Sequence, residues 1–387
     1  LLTTPLVPAP REGLPAGERL QLIRAIARSS LAPLVEAIDR EGLYPRQVLQ
    51  QLAQAGAFSA HLSSHGELAD LGVSIQLIAE IASVCGATGF LAWCQAACGL
   101  YLEQSGNAAL QGSWLKRHIS GEGLGGTGLS NPIKSYAGME KLLLRATPEA
   151  DGYRLRGSLP WVSHLQADGY CGVIAAVVTS DGRAVGHEVM VLLSAATAGV
   201  ELLPCPGFAG MEGTSTYGLR LEDVWIGPES VIARDATAFL AGIRPTFVLL
   251  QCGFGLGVIQ GAIESILAVQ GPLGHVNGFL EDQAESLQAE FDSLVRRIQG
   301  LAKTPRRSDP AYRLAVLETR ATCSELSLRA GQAALLHQGS RGYLARSPVQ
   351  RRIRESHFVA IVTPALKQLR KEIAGLRASG IRHHPQP

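Results

Sequence analysis

The spacing of apolar residues changes twice along this chain of 387 residues, and few architectures accommodate both changes. From Glu18 to Lys116 it is helical. Leu20, Ile23, Ile26 and Ala27 share one face, and so do Ile75, Ile78, Ile81 and Ala82, the three-and-four pattern of an amphipathic helix. Around Gly121 that pattern stops. Short apolar or alternating runs follow at 141–146, 153–159, 170–178, 188–193, 199–203 and 216–226, punctuated by Asp151-Gly152, Ser180-Asp181-Gly182 and the proline-bounded turn 204–207. Short strands with tight turns and no helices between them indicate an antiparallel β domain. From Asp235 helical spacing returns and lasts to Leu376, divisible into 237–270, 280–301, 310–337 and 348–376, which reads as a bundle. The expected fold is mainly α with a central β domain: an all-α domain over 1–120, a β domain over 121–234 and a four-helix bundle over 235–387.

Composition narrows the function classes. With 46% apolar and 18% charged residues the chain can bury large surfaces, which excludes disorder as its main state. A net charge of +2, without a basic run interleaved with aromatics, gives no footprint for nucleic acid. Arg306-Arg307 reads as a solvated pair. The seven cysteines are scattered, Cys94 and Cys98 one helical turn apart with no further ligand pair to complete a metal site. They read as core packing in a reducing compartment, so no metal and a cytoplasmic location are expected. Leu1 to Pro10 has no basic n-region of a signal peptide. The apolar stretch from Phe247 to Ile263 is interrupted by Gln251 and Gln260 and reads as a buried helix rather than a membrane span.

Gly123-Leu124-Gly125-Gly126-Thr127-Gly128 satisfies the dinucleotide-binding spelling G-x-G-x-x-G. That motif needs a strand before it and a helix after it. Helices precede it here, and Ser130-Asn131-Pro132 follows, where proline disfavours a helical residue before it. The segment is read as a flexible glycine loop whose amides approach a ligand.

Local segments then carry a resemblance. Gly42-Leu43-Tyr44-Pro45-Arg46 with Leu52-Ala53-Gln54-Ala55-Gly56, Leu129-Ser130-Asn131-Pro132, Asp151-Gly152-Tyr153-Arg154-Leu155-Arg156-Gly157 with Trp161-Val162-Ser163, Gly213-Thr214-Ser215-Thr216 with Leu221-Glu222-Asp223-Val224, and Gly339-Ser340-Arg341-Gly342-Tyr343 with Arg354-Glu355 occur in order. Together they resemble the acyl-CoA dehydrogenase superfamily over about residues 20 to 375. The resemblance implies bound FAD (FMN being possible) held by Leu129, Ser130, Trp161, Val162 and Ser163. It places Gly339 and Gly342 near the adenine half, usually of a neighbouring subunit, so a homodimer or homotetramer is expected. It further implies oxidation of the CH–CH group of an acyl thioester, with an electron-transfer or flavin reductase partner. The substrate pocket is expected between 91–101, 246–253 and 361–365, where Trp93, Phe247 and Phe254 either narrow it or belong to the core.

The sequence departs from that family where the chemistry is done. Removing the weakly acidic α-proton of a thioester needs a positioned carboxylate. Of the two places where the family carries it, one holds Thr363 and the other falls near Phe247. Glu355, His357 and His164 are the remaining candidates. The arginine that meets the FAD pyrophosphate falls on Gln270, and a glutamine of the family falls on Leu336, which predicts weaker flavin binding. Three readings remain: a dehydrogenase with a relocated base, a flavin-dependent monooxygenase using reduced flavin and oxygen, and a non-catalytic acyl-CoA or flavin-binding scaffold.

Overall fold

The computed structural model describes residues 14–63 and 69–380; Leu1 to Pro10, the Ser64-His65-Gly66 turn and the His383-His384 pair lie outside the described residues. The first part is helical: α1 (Ala16–Ile26), α2 (Val35–Arg40), α3 (Arg46–Gln54), α4 (Leu71–Val84), α5 (Gly86–Gln104) and α6 (Leu115–Ser120). α4 starts where the Asp70 carboxylate accepts the Val73 N–H at 2.9 Å, satisfying one of the unpaired donors of a first turn. α6 stops at Gly121, whose φ of 78° is the left-handed conformation of a helix terminator.

Strands β1 (Gly125–Thr127), β2 (Leu144–Glu149), β3 (Gly152–Val162), β4 (Tyr170–Val178), β5 (Ala184–Ser194), β6 (Val200–Pro204), β7 (Tyr217–Ile226) and β8 (Val231–Ala233) form one sheet in the order β6-β7-β3-β2-β4-β5-β8. β1 pairs with β4 at Tyr170–Gly172 and β2 pairs with it at Ala176 and Val177, both in parallel, while the other pairings are antiparallel. The sheet is therefore mixed, not wholly antiparallel as expected. The chain keeps one direction from β1 to β2 along the same edge of β4, interrupted by a short helix, α7 (Ser130–Tyr136). The glycine segment is corrected as well. Gly125-Gly126-Thr127 is a buried strand, and a side chain at Gly126 would lie 2.2 Å from the Ser163 carbonyl. Gly126 admits the Ser163 backbone and Gly125 admits the Tyr170 ring.

Along β4 and β5 the residues alternate between two cores, as the period of two requires. Tyr170, Ile174, Met190 and Leu192 join the core shared with the helices, whereas Cys171, Val173, Val189 and Val191 join one within the sheet domain.

The last part contains α8 (Ala236–Asn277), α9 (Ala284–Ala302), α10 (Pro310–Gln338), α11 (Pro348–Ile361) and α12 (Leu366–Ala378). The expected helix 348–376 is thus two helices. Pro364 disfavours helical backbone at Thr363 and has no N–H to donate, and the break presents 362–365 to the molecule's interior face. α8 approaches the α4 backbone closely at two glycines. Cβ atoms added at Gly253 and Gly257 would come within 2.6 Å of the Ile75 carbonyl and 2.3 Å of the Ala79 carbonyl. Among the described residues, α8 is the helix long and apolar enough to cross a membrane, and 89% of its apolar window is buried inside the protein.

Candidate active site

A cleft of about 430 Å³ opens where the sheet meets α5, α8 and α11. Its sheet side carries Thr127, Leu129, Ser130, Trp161, Ser163 and Thr216; its helix side carries Phe90, Trp93, Phe247, His357, Phe358 and Thr363. Trp161 is 52% exposed. An indole left open at a cleft mouth has room to stack on a planar ring, and the alternative of a sheet-core tryptophan is set aside. The hydroxyls around it are paired: Ser130 Oγ with Thr363 Oγ1 at 3.0 Å, Ser163 Oγ with Thr216 Oγ1 at 2.7 Å, and Thr214 Oγ1 with Thr216 Oγ1 at 2.9 Å.

Strand geometry decides which residue of Trp161-Val162-Ser163-His164 faces the cleft. Val162 is fully buried in the sheet core, so its side chain is not part of the cleft lining. Ser163 faces the cleft and forms a bridge with Thr127. At His164 the backbone turns left-handed (φ 62°), its N–H bonding the Thr214 carbonyl at 2.9 Å. The imidazole enters a sealed polar chain instead. Its Nδ1 lies 3.0 Å from the Tyr44 hydroxyl and its Nε2 2.9 Å from Gln95 Oε1, while the Gln95 amide and the Tyr170 hydroxyl reach His118. Burial, then His118 and Arg46, push His164 down to about 3; burial pushes His118 down to about 4. His164 is a neutral structural group, and its candidacy as base is corrected.

Glu355 is corrected too. It is 3% exposed on the face of α11 away from the cleft, accepting the Gly86 N–H at 2.8 Å and bridging Arg351 at 2.7 Å and Arg352 at 3.3 Å. A side chain at Gly86 would collide with this carboxylate at 2.7 Å. A carboxylate compensating two guanidiniums is no free base. Two residues on, His357 is exposed and lines the cleft.

Thr363 and Phe247 both line the cleft, so the two positions expected to hold a carboxylate meet there without one. Thr363 is held from behind. Its carbonyl accepts from Gln251 Nε2 at 3.1 Å, and Gln251 Oε1 accepts from Arg320 Nε at 2.7 Å. Arg320 is fully buried and also bonds Ser324 and the Val359 carbonyl, and burial lowers its pKa. The cleft's cations are likewise engaged: Arg354 in a two-pronged contact with Asp39 at 2.7 Å, Lys134 with Glu140 at 3.8 Å. Of the remaining expectations, Trp93 and Phe247 line the cleft and Phe254 lies behind it in the core. Gly339 and Gly342 lie outside it, just past the end of α10, the first exposed and the second buried. Gln270 is exposed and donates to Glu285 at 2.9 Å.

Sequence reasoning did not single out Phe90, Phe358 or the loop carrying Phe208 and Met211. Phe90 and Phe358 sit at helical spacings indistinguishable from core positions. The loop is shaped by left-handed Met211 (φ 68°) and Ser215 (φ 48°), non-glycine residues that no turn spelling announces.

The donor set fits a flavin ring: an open indole, an apolar floor and neutral hydroxyls suit a plate with a polar edge. The family model for the N-terminal domain of acyl-CoA dehydrogenases matches residues 18–122. The probable acyl-CoA dehydrogenase YngJ of Bacillus subtilis is 22% identical over 363 residues, covering 88% of this chain and 92% of its own length. Butyryl-CoA dehydrogenase from Megasphaera elsdenii superposes with a TM-score of 0.82 at 18% identity, over 94% of this chain and 98% of that one. The dibenzothiophene monooxygenase TdsC from Paenibacillus sp. A11-2, solved also with indole and with FMN bound, superposes at 0.77 and 17% identity over 96% and 99%. In its first helical segment the chain matches the family model for the N-terminal domain of acyl-CoA dehydrogenases, and in element order and fold it is similar to members of that superfamily.

Proposed function

We propose that the chain is a flavin-dependent oxidoreductase, with FAD the expected form and FMN the alternative, that hydroxylates a small organic substrate using oxygen and reduced flavin from a partner reductase. One observation carries this reading: among the described residues, no carboxylate lines the cleft. Thr363 and Phe247 occupy the usual base positions, Glu355 is bound to two arginines, and His164 is sealed and neutral. A hydroxyl does not abstract the α-proton of a thioester near neutral pH. Oxygen-dependent hydroxylation does not begin with that abstraction. Bound against Trp161, Leu129, Ser130 and Ser163, the flavin would supply two-electron redox chemistry. The chain's own residues do the rest. The Ser130–Thr363 and Ser163–Thr216 pairs offer neutral hydrogen bonds to a ring edge, the aromatic floor excludes water, and His357 holds or passes a proton at its imidazole nitrogens. Gln270 in place of a phosphate-pairing arginine suits a flavin that is exchanged between proteins.

A second reading keeps dehydrogenation of an acyl thioester, with His357 as base and an electron-transfer partner. It is favoured by the imidazole's position on the cleft wall and by the names of the sequence relatives. Anaerobic mixing of the FAD-loaded protein with a panel of acyl-CoAs separates the two. No bleaching of the flavin absorbance, together with oxygen-dependent product when reduced flavin is supplied, is the expected result. Bleaching by a thioester, abolished in His357→Ala, sinks hydroxylation in favour of the second reading. Flavin binding without either reaction leaves the chain a non-catalytic scaffold.

A further inference from the structure

The helix side of the cleft is a floor of rings. Phe90 stacks on Trp93 with centroids 5.4 Å apart and 27° between planes, and meets Phe358 edge-on at 4.9 Å and 80°. Trp93 meets Phe247 at 5.0 Å and 67°, and its indole N–H donates to the Phe247 carbonyl at 3.3 Å. The Trp93–Phe247 contact joins α5 to α8, and the Phe90–Phe358 contact joins α5 to α11. The same rings are almost wholly buried apart from Phe358, so the floor is closed. Apart from His357, the polar groups facing it are neutral hydroxyls with hydrogen-bond partners or cations already matched by Asp39 and Glu140. His357 is the remaining titratable side chain on that wall with an open edge.

A closed aromatic floor under neutral walls complements a flat, uncharged, apolar molecule, which gains offset or edge contacts with each ring. It does not complement a long flexible chain, which needs a channel, or a multiply charged one, which needs free cations. We propose that the substrate of this cleft is a neutral aromatic or heteroaromatic molecule of one or two fused rings, seated against Phe90, Phe247 and Phe358. This deepens the flavin-dependent reading above and rests on it only for the reaction, not for the binding.

Isothermal titration of the full chain, with and without FAD, tests the assignment using indole and octanoyl-CoA as probes. Indole is expected to bind in both forms, and octanoyl-CoA neither to bind nor to displace it. Phe358→Ala should weaken indole about tenfold, the scale of one lost ring contact together with its buried area. Phe358→Leu, which keeps the apolar volume and protects the fold, should weaken it in the same direction. Failure of indole to bind overturns the assignment whatever the thioester does. So does octanoyl-CoA binding in competition with indole, or parent-like indole affinity in both Phe358 variants. A protein that binds indole but retains no flavin refutes the proposed reaction and leaves this assignment standing.

Discussion

Single side chains in this molecule are set by what seals them. His61, His118 and His164 are all buried and neutral, pushed down to about 4, about 4 and about 3 chiefly by burial. Each folded-state value lies below the ordinary 6.5, so as pH falls the unfolded chain takes up protons first. Stability is therefore full above about pH 6.5 and is lost on the way down toward 4 and 3, by up to ~1.4 kcal/mol per pH unit for each histidine. Thermal melts between pH 7 and pH 5 should show that decline, and His164→Asn should flatten it by about one proton. Glu355 gives the opposite kind of test. Replacing it with alanine leaves Arg351 and Arg352 without their shared carboxylate and should cost about 3–5 kcal/mol in urea unfolding. Binding of flavin and indole by the folded fraction should be unchanged, because the carboxylate faces away from the cleft.

At the scale of elements, the break between α11 and α12 is what brings Thr363 to Ser130. Gln251 on α8 and Arg320 on α10 tie that break to the bundle through the Thr363 carbonyl. Gln251→Leu removes the acceptor of a buried guanidinium as well as the donor to Thr363. It should lower stability by about 2–3 kcal/mol, the range for a lost hydrogen bond to a charged group. The double variant Gln251→Leu/Arg320→Met removes the stranded charge and should regain most of that loss. Denaturant midpoints measured for the single and double variants decide it; an unrecovered double variant would show that the helices, not the polar tie, carry the cost.

Across the whole molecule, one end of the bundle is left apolar. Phe279 is 91% exposed and Tyr343 79%, and Val276, Leu336 and Leu344 are also exposed. The ends of α8 and α10 that carry them are joined by Asn277 Nδ2 donating to the His337 carbonyl at 2.9 Å. Apolar side chains left open near two helix ends mark a site of association, and a self-complementary patch gives a two-fold dimer. Sedimentation should find an oligomer that Phe279→Glu shifts toward monomer. Gln270 lies on α8, and Gly339 and Gly342 lie just past the end of α10, so flavin affinity should depend on that assembly. Gln270→Arg should tighten FAD binding about tenfold by adding a charge-assisted phosphate contact, and an unchanged affinity would place the pyrophosphate elsewhere.

The sequence by itself determined the succession of helices, sheet and helices, because apolar periods of 3.6 and two are local properties. It also puts Thr363 and Phe247, neither a carboxylate, where the resemblance implies a base, and Trp161, Ser130 and Ser163 in the segments that carry that resemblance. Only the tertiary structure decided which neighbours face the cleft. The left-handed turn at His164 sets its ring against Tyr44 and Gln95, Glu355 takes the Gly86 N–H, and Thr363 meets Ser130; each contact joins residues far apart in the chain, and no local spacing records it. Phe90 and Phe358 make the same point. On a helix they read as core, and they become a floor because the sheet stands off from α5 and α11 at that place.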